Sequence, residues 1–316
     1  MPAMQLKDRI GCRLKLQDIH ILMTVVETGS MGKAAAVLNT GQPAISRSVA
    51  ELERALGVQL LERNRQGIRA TEYGRAFLSG GTAVFDDLRQ SVRNIAFLAD
   101  PAVGEVRIGC NPTLAASFVA VLIDQMTRRY PRATFQVVVA AHRDRMHREL
   151  ADRNVDLLIA RRFGPIVDEQ LDYEPLFDDP YVVVAGARNK WAAKKSIKLA
   201  DLVDEPWALQ PDTTAGALAL EAFHACKLPG PVIAVTVEPT PARLDLVARG
   251  RLLSVFPKSA LRFSGKHFDL KVLSVKPALG SVPVGIVTVK GRILSPLPKL
   301  FIESARKLAN GMTSRR

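Results

Sequence analysis

The sequence predicts an α/β chain made of two unlike parts joined by a long helix. In the N-terminal part, apolar residues recur at helical spacing from Leu16, and a polar break at 39–41 precedes a further helix. In the C-terminal part, from residue 105, short apolar runs alternate with helical stretches. That alternation is typical of a parallel sheet with right-handed helical crossovers.

Composition limits the classes of protein to consider. The chain has 316 residues, enough for two or three compact units. Hydrophobic residues make up 47% and charged residues 24%, which indicates a globular rather than a disordered protein. The net charge of +13 favours a polyanionic partner. The positive charge is spread along the whole chain, so charge alone does not locate a nucleic-acid surface.

Cysteine usage and the apolar runs indicate the compartment. Cys12, Cys110 and Cys226 are odd in number and far apart, which predicts neither a disulfide framework nor a thiolate metal site. Charges run through the first 18 residues, unlike a secretory signal. The longest apolar runs, such as 181–187, are too short to cross a bilayer. We therefore expect a soluble cytoplasmic protein with no membrane partner.

Three helices are predicted before residue 57. Gly29 should end the first, Ser30 should cap a short alanine-rich second, and Pro43 fits the first turn of the third. The core-facing stripe of the third helix consists of Ile45, Val49, Leu52 and Leu56. Its opposite face is small, polar and basic, with Pro43, Ser46, Arg47, Ala50 and Arg54. Two helices joined by a tight turn describe a helix-turn-helix, whose second helix enters the major groove of DNA.

The residue types on that outer face suit DNA. Arginine can bind guanine bidentately, glutamine can bind adenine, and serine can bind a base or a phosphate. A hairpin at 60–70 adds arginines beside the groove, where phosphate contacts are expected. The predicted DNA contacts are Ser30, Lys33, Gln42, Pro43, Ser46, Arg47, Arg54, Arg63, Arg65 and Arg69.

A long helix follows, capped by Thr71. Its apolar face has a coiled-coil-like spacing, weakened by Gly81 and Ser91, and predicts pairing with a second copy of the chain. The predicted dimerisation residues are Phe77, Val84, Leu88, Ile95 and Leu98. An alternative stays open, in which this stripe packs on the chain's own winged domain. Proline and glycine at 100–104 predict a hinge.

These elements resemble the N-terminal domain of the LysR-type transcriptional regulators. The matching stretches are "AAAVLNTGQPAISRSVAELERALGVQLLER" and "GIRATEYG". The resemblance implies a winged helix-turn-helix over 14–71, a dimerisation (linker) helix over 72–99 and a hinge at 100–104. One departure is Gly41, where the family usually has serine. Glycine lacks the hydroxyl and caps a helix less well, by a few tenths to about 1 kcal/mol.

The same resemblance implies that 105–316 is an effector-binding domain with a periplasmic-binding-protein-like (type 2) α/β fold. Its first subdomain would be 105–180 with 284–316, and its second 181–283. By resemblance, the cleft between them is lined by Asn111, Thr113, His142, Arg161, Arg162, Gln210, Thr213, Thr214 and Glu238. Helix starts and strand ends at such a cleft suit small anions. We therefore predict a small hydroxylated or carboxylated effector.

The resemblance thus implies a DNA-binding transcriptional regulator. Expected partners are double-stranded DNA at an interrupted palindrome, a second copy in a homodimer or homotetramer, a small-molecule effector, and RNA polymerase as a further candidate. No catalytic residue, metal or cofactor is predicted. One alternative is a redox-responsive regulator of the same fold that uses Cys110 or Cys226. Another is a solute-binding or enzymatic α/β protein, which the absence of a signal sequence and of Walker A, GxGxxG, HExxH and GxSxG motifs disfavours.

Overall fold

A computed structural model of the chain describes residues 14–64, 67–101, 103–140, 143–162, 169–237, 239–263 and 268–313. The chain divides into two compact units, 1–89 and 90–316. The elements up to residue 99 are α1 (Leu16–Thr28), α2 (Met31–Val37), α3 (Gln42–Leu56), β1 (Leu61–Asn64), β2 (Gly67–Ala70) and α4 (Glu72–Ala99).

Capping residues fix the ends of the first three helices. Gly29 ends α1 with a φ of 67°, and the Ser30 side chain accepts a hydrogen bond from the Lys33 amide at 3.5 Å. Gly41 stands at the start of α3 without a side-chain cap, and Gly57 ends that helix with a φ of 75°. The helices enclose a core of Ile21, Leu22, Val25, Ala34, Ala35, Ile45, Val49, Leu52 and Leu60.

Side-chain hydrogen bonds join α3 to the β1–β2 hairpin and cap the start of α4. The Glu53 carboxylate accepts from the amides of Leu60 and Leu61, at 2.7 and 3.2 Å. Thr71 caps α4, because its hydroxyl accepts from the Gly74 amide at 3.0 Å. A Cβ at Gly74 would lie 2.1 Å from the Leu60 carbonyl oxygen, so only glycine fits there.

The apolar positions of α4 separate into two groups. Phe77 is half-buried against the core of the first unit, so this predicted dimerisation residue packs within its own chain. Val84, Leu88, Ile95 and Leu98 are exposed by 44% to 81%, and Val92, which the sequence analysis did not name, is 66% exposed.

The second unit alternates strands and helices after α4. Its elements are β3 (Val103–Cys110), α5 (Pro112–Leu114), a π-helical turn (Ala115–Val119), α6 (Ala120–Arg129), β4 (Arg132–Val139), α7 (Arg143–Ala151), β5 (Leu157–Arg161), β6 (Leu171–Gly186), β7 (Ile197–Lys198), a 3-10 turn (Leu199–Leu202), β8 (Pro206–Ala208), α8 (Thr214–Ala225), β9 (Val232–Val235), α9 (Thr240–Ala248), β10 (Leu253–Pro257), α10 (Lys258–Phe263), β11 (Leu270–Val272), β12 (Val275–Lys276), β13 (Ser281–Val289) and α11 (Pro296–Thr313).

The main sheet has the order β4-β3-β5-β13-β6-β10-β8-β9, with β11 also beside β6. The strands β3, β4 and β5 are parallel, as predicted. The long strand β6 changes partner along its length: 171–180 pairs with β13, and 181–185 pairs with β10. The apolar pattern of 171–180 predicts no strand, because prolines and acidic residues interrupt it.

Each half of this sheet has its own apolar core. One core contains Phe118, Phe177 and Phe301, and the other contains Trp207 and Phe223. The boundary between the two cores therefore falls where β6 changes partner.

Among the described residues, no helix is long and apolar enough to cross a membrane.

A buried carboxylate binds the last turns of α4, which belong to the second unit. Asp156 precedes β5 and is fully buried. Its carboxylate lies 2.7 Å from an Arg107 Nη, 3.2 Å from an Arg292 Nη and 3.7 Å from an Arg93 Nη. Gln90 on α4 also donates to it at 3.4 Å. Because β3 and β5 are parallel, this cluster lies at their amino ends, opposite to the edge where Asn111 and Arg161 lie.

Candidate DNA-recognition surface and effector cleft

The helix α3 divides sharply into a buried face and an open one. Ile45, Val49 and Leu52 are buried in the core. The predicted DNA-contact residues of this helix are all exposed: Gln42, Pro43, Ser46, Arg47 and Arg54. Exposed polar side chains at the start of such a helix can reach base edges and phosphates.

Buried polar groups support the open face from behind. Ser48 lies on the core side of α3, and its hydroxyl donates to the Asp18 carboxylate in the first turn of α1 at 2.6 Å. With the bonds from Glu53 to the hairpin, this contact fixes α3 against both neighbours. The outward side chains therefore project from a rigid helix.

The start of α2 and the hairpin lie next to α3. A depression is lined by Gly29, Ser30, Met31, Gly32, Gln42, Asn64, Gly67 and Ile68. The depression lies between the beginnings of α2 and α3 and the hairpin. Lys33, in the first turn of α2, is exposed. Arg69 on β2 is exposed too. Arg65 and the side chain of Arg63 lie outside the described residues.

The residues predicted to line the effector cleft begin at the carboxyl end of β3. The Asn111 side chain caps the helical run that follows, accepting from the Leu114 amide at 2.8 Å. Next to it, the Thr113 hydroxyl lies 3.1 Å from that of Thr240, at the start of α9. A π-helical turn begins two residues after Thr113, and such turns occur frequently at functional sites.

A buried ion pair lies behind these threonines. An Arg161 Nη lies 2.7 Å from the Asp179 carboxylate, and both side chains are at most 4% exposed. Asp179 also accepts from the amide and the hydroxyl of Ser259, at 3.0 and 2.6 Å. Arg161 further approaches Asn111 at 3.4 Å. Arg161 was predicted to bind the effector, but its charge is already paired with Asp179 within the chain.

Tyr181 connects this ion pair to the polar loop of the second half. The guanidinium of Arg161 lies 5.8 Å from the centroid of the Tyr181 ring. The side chain of Tyr181 is hydrogen bonded to that of Thr214. Burial raises the pKa of Tyr181, while Arg161 opposes that shift, so the phenol stays protonated near neutral pH. Within the loop, the Thr213 hydroxyl donates to the Gln210 carbonyl at 2.7 Å and caps α8 by accepting from the Gly216 amide.

A further arginine, which sequence reasoning missed, belongs to the same group. Arg243 lies one turn after Thr240 on α9, is 5% exposed, and lies near Tyr181. Its guanidinium lies 4.7 Å from the ring centroid of Phe256. The sequence offered only a weak signal, an arginine within an otherwise apolar helical turn.

Comparison with known proteins decides the family. Residues 16–75 match the model "Bacterial regulatory helix-turn-helix protein, lysR family", and 99–310 match the model "LysR substrate binding domain". The chain belongs to the LysR family. It is a LysR-type DNA-binding transcriptional regulator with an effector-binding domain.

Individual LysR relatives match over nearly the whole chain. The HTH-type regulator YdcI of Escherichia coli (strain K12), whose own function is uncharacterized, is 28% identical over 93% of this chain and 96% of that protein. The crystal structure of full-length CbnR with its target DNA is similar at a TM-score of 0.54, with 24% identity, over 94% of this chain and 100% of that one. A full-length OxyR variant from Pseudomonas aeruginosa has a TM-score of 0.65, with 23% identity, over 93% and 95%. At these identities the structures support the fold alone.

One predicted effector residue of this LysR regulator, Arg162, makes a contact outside the group around Arg161. Arg162 is exposed, and its guanidinium stacks over the Tyr173 ring at 5.1 Å, away from Arg161. Successive residues at a strand end point to opposite sides, so both arginines cannot share one anion. His142 and Glu238 lie outside the described residues.

The cysteines bear on the redox alternative. Cys110 is 1% exposed within an apolar core, and burial raises the pKa of its thiol to about 12. A thiol with that pKa stays protonated near neutral pH and is a poor nucleophile. Cys226 is partly exposed after α8, beside the second core. The described surroundings of Cys110 thus favour a packing role.

Proposed function

We propose that this LysR regulator binds an interrupted palindromic operator as a homo-oligomer, and that a small anionic or hydroxylated metabolite in the cleft changes its output. The outward face of α3 supports the DNA contacts most strongly, because its polar side chains are exposed while the opposite face forms the core. Bases would be read by Gln42, Ser46 and Arg47. Phosphates would be bound from α2 and the hairpin, by residues such as Lys33 and Arg69.

Selection from fragmented genomic DNA of the source organism tests this proposal. Full-length protein should enrich a small set of fragments that share an interrupted palindrome, because the two-fold axis of a dimer matches that of its operator. Enrichment without a shared sequence, or none at all, would contradict sequence-specific regulation by this chain.

The exposed stripe of α4 supports the oligomer. Val84, Leu88, Val92 and Ile95 recur at steps of four, four and three on a helix of 28 residues. Leu88→Lys should yield smaller species than wild type in light scattering, because it places a charge in the proposed interface. Asp87→Lys, also exposed and one position away, is the matched control and should keep the wild-type mass. An unchanged mass for Leu88→Lys would argue against this interface.

The cleft supports an effector with polar groups. Hydroxyls of Thr113, Thr214 and Thr240 come together with buried arginines at one end of the sheet. A thermal-shift screen against metabolite acids should find ligands whose shift is lost in Thr113→Val and kept in Thr127→Val, an exposed threonine on α6. A shift that survives Thr113→Val undiminished would place the ligand elsewhere. Contact with RNA polymerase and a cytoplasmic location remain part of the proposal.

A further inference from the structure

Arg243 is a buried cation with no counter-charge among the residues that the structure describes. Its side chain is 5% exposed, and its Nε is buried without a hydrogen-bond partner. A buried arginine normally has an acidic partner, as Arg161 has in Asp179. Burial lowers the pKa of Arg243, but a guanidinium stays charged at neutral pH.

The surroundings of Arg243 place it next to residues predicted to line the cleft. It lies on α9, one turn after Thr240, whose hydroxyl contacts that of Thr113. Arg243 also lies near Tyr181, whose side chain is hydrogen bonded to that of Thr214. The ring of Phe256 covers the guanidinium at 4.7 Å and offers a cation–π contact, but no negative charge. The unpaired Nε of Arg243 thus belongs to a side chain whose neighbours include Tyr181 and, one turn earlier on α9, Thr240.

The charges of this cluster set the charge of a ligand that would balance it. The charges of Arg161 and Asp179 cancel. The Asp179 carboxylate already accepts one hydrogen bond from Arg161 and two from Ser259. Arg243 leaves one positive charge. We infer that Arg243 binds the anionic group of the effector, and that this effector is a hydroxylated monocarboxylate whose hydroxyls meet Thr113, Thr240 and Tyr181. This inference rests on the proposed function, and it names the ligand class and the residue that selects it.

Thermal unfolding of the full-length protein tests the inference. Wild type, Arg243→Met and Arg249→Met are compared in sodium chloride, acetate, gluconate and sulfate at equal ionic strength. Arg249 is the matched control, because it ends the same helix and is exposed with a surface partner, Asp245. Gluconate should raise the Tm of wild type and Arg249→Met by about 2–4 °C, with a weaker effect of acetate, while sulfate, which stabilises folded proteins generally, should shift all three proteins alike. Arg243→Met should have a Tm in chloride at least equal to wild type, and no gluconate shift.

Three results would overturn the inference. A clearly lower Tm of Arg243→Met in chloride would mean that Arg243 has its partner within the chain. A gluconate shift kept in Arg243→Met would place the anion elsewhere, and the absence of any carboxylate shift in wild type would exclude this ligand class. Operator binding of the three proteins, measured in parallel, separates these failures from failure of the proposed function, since DNA binding should be unchanged in all of them.

Discussion

The polar side chains on the outer face of α3 lie in solvent, whereas those of the cleft are mostly buried and bonded to one another. Gln42, Ser46 and Arg47 come from six consecutive residues of one helix. Arg161, Asp179 and Arg243 come from three separate elements and are at most 8% exposed.

The difference shows how two kinds of binding surface are built. An exposed face for DNA has few internal bonds to lose, so its residues can be exchanged with little effect on folding. A buried cleft must balance its charges even without ligand, since an unpaired buried ion is costly. The cost of removing a polar side chain should therefore fall as its burial falls.

Removal of the cleft carboxylate should cost most. Asp179→Ala leaves Arg161 buried without its partner and removes the acceptor of Ser259. We expect the free energy of unfolding to fall by about 3–5 kcal/mol in urea titrations followed by circular dichroism. Asp245→Ala removes an exposed carboxylate paired with Arg249, and should cost at most about 0.5 kcal/mol. Equal costs for both variants would break the distinction by burial.

Loss of the support behind α3 should cost less. Glu53→Ala leaves the amides of Leu60 and Leu61 without their acceptor and should lower stability by about 1–3 kcal/mol. Glu51→Ala, on an exposed position of the same helix, is the control and should change little. Chemical denaturation of the full chain measures both. A Glu53→Ala variant as stable as the control would mean that the hairpin does not depend on α3.

An exposed ion pair in the second unit should cost least. Glu174 accepts from Arg306 at 2.6 and 2.8 Å, and this bond lowers the pKa of the carboxyl below its ordinary value of 4.5. A lowered folded-state pKa stabilises the protein above pH 4.5 and ceases to do so as the carboxyl is protonated. Glu174→Gln should therefore cost about 0.2–1 kcal/mol at about pH 7, and progressively less as the pH falls below 4.5 through the lowered pKa of the folded state. A cost that persists in acid would point to packing rather than charge.

Local patterns predicted α3 well, because its signals lie within one stretch of chain. Gly29 and Ser30 end and begin helices as expected, and the core stripe of α3 is buried except for Leu56, which packs against the core partly buried. The strand at 171–180 escaped prediction because its pairing with β13, about 100 residues later, overrides the prolines. Neither the burial of Arg243 nor the opposite directions of Arg161 and Arg162 could be predicted, since both depend on how distant elements pack.

The affinity of Arg47→Ala for an operator tests most directly whether the exposed face of α3 recognises DNA. Fluorescence anisotropy on a selected operator compares wild type with Arg47→Ala and with Arg249→Ala, which removes the same charge from an exposed position in the second unit. We predict that Arg47→Ala weakens binding by about 1–3 kcal/mol, roughly 5- to 150-fold, with an unchanged Tm. Arg249→Ala should bind like wild type. An Arg47→Ala protein that binds the operator as tightly as wild type would contradict the assignment of α3 as the recognition helix.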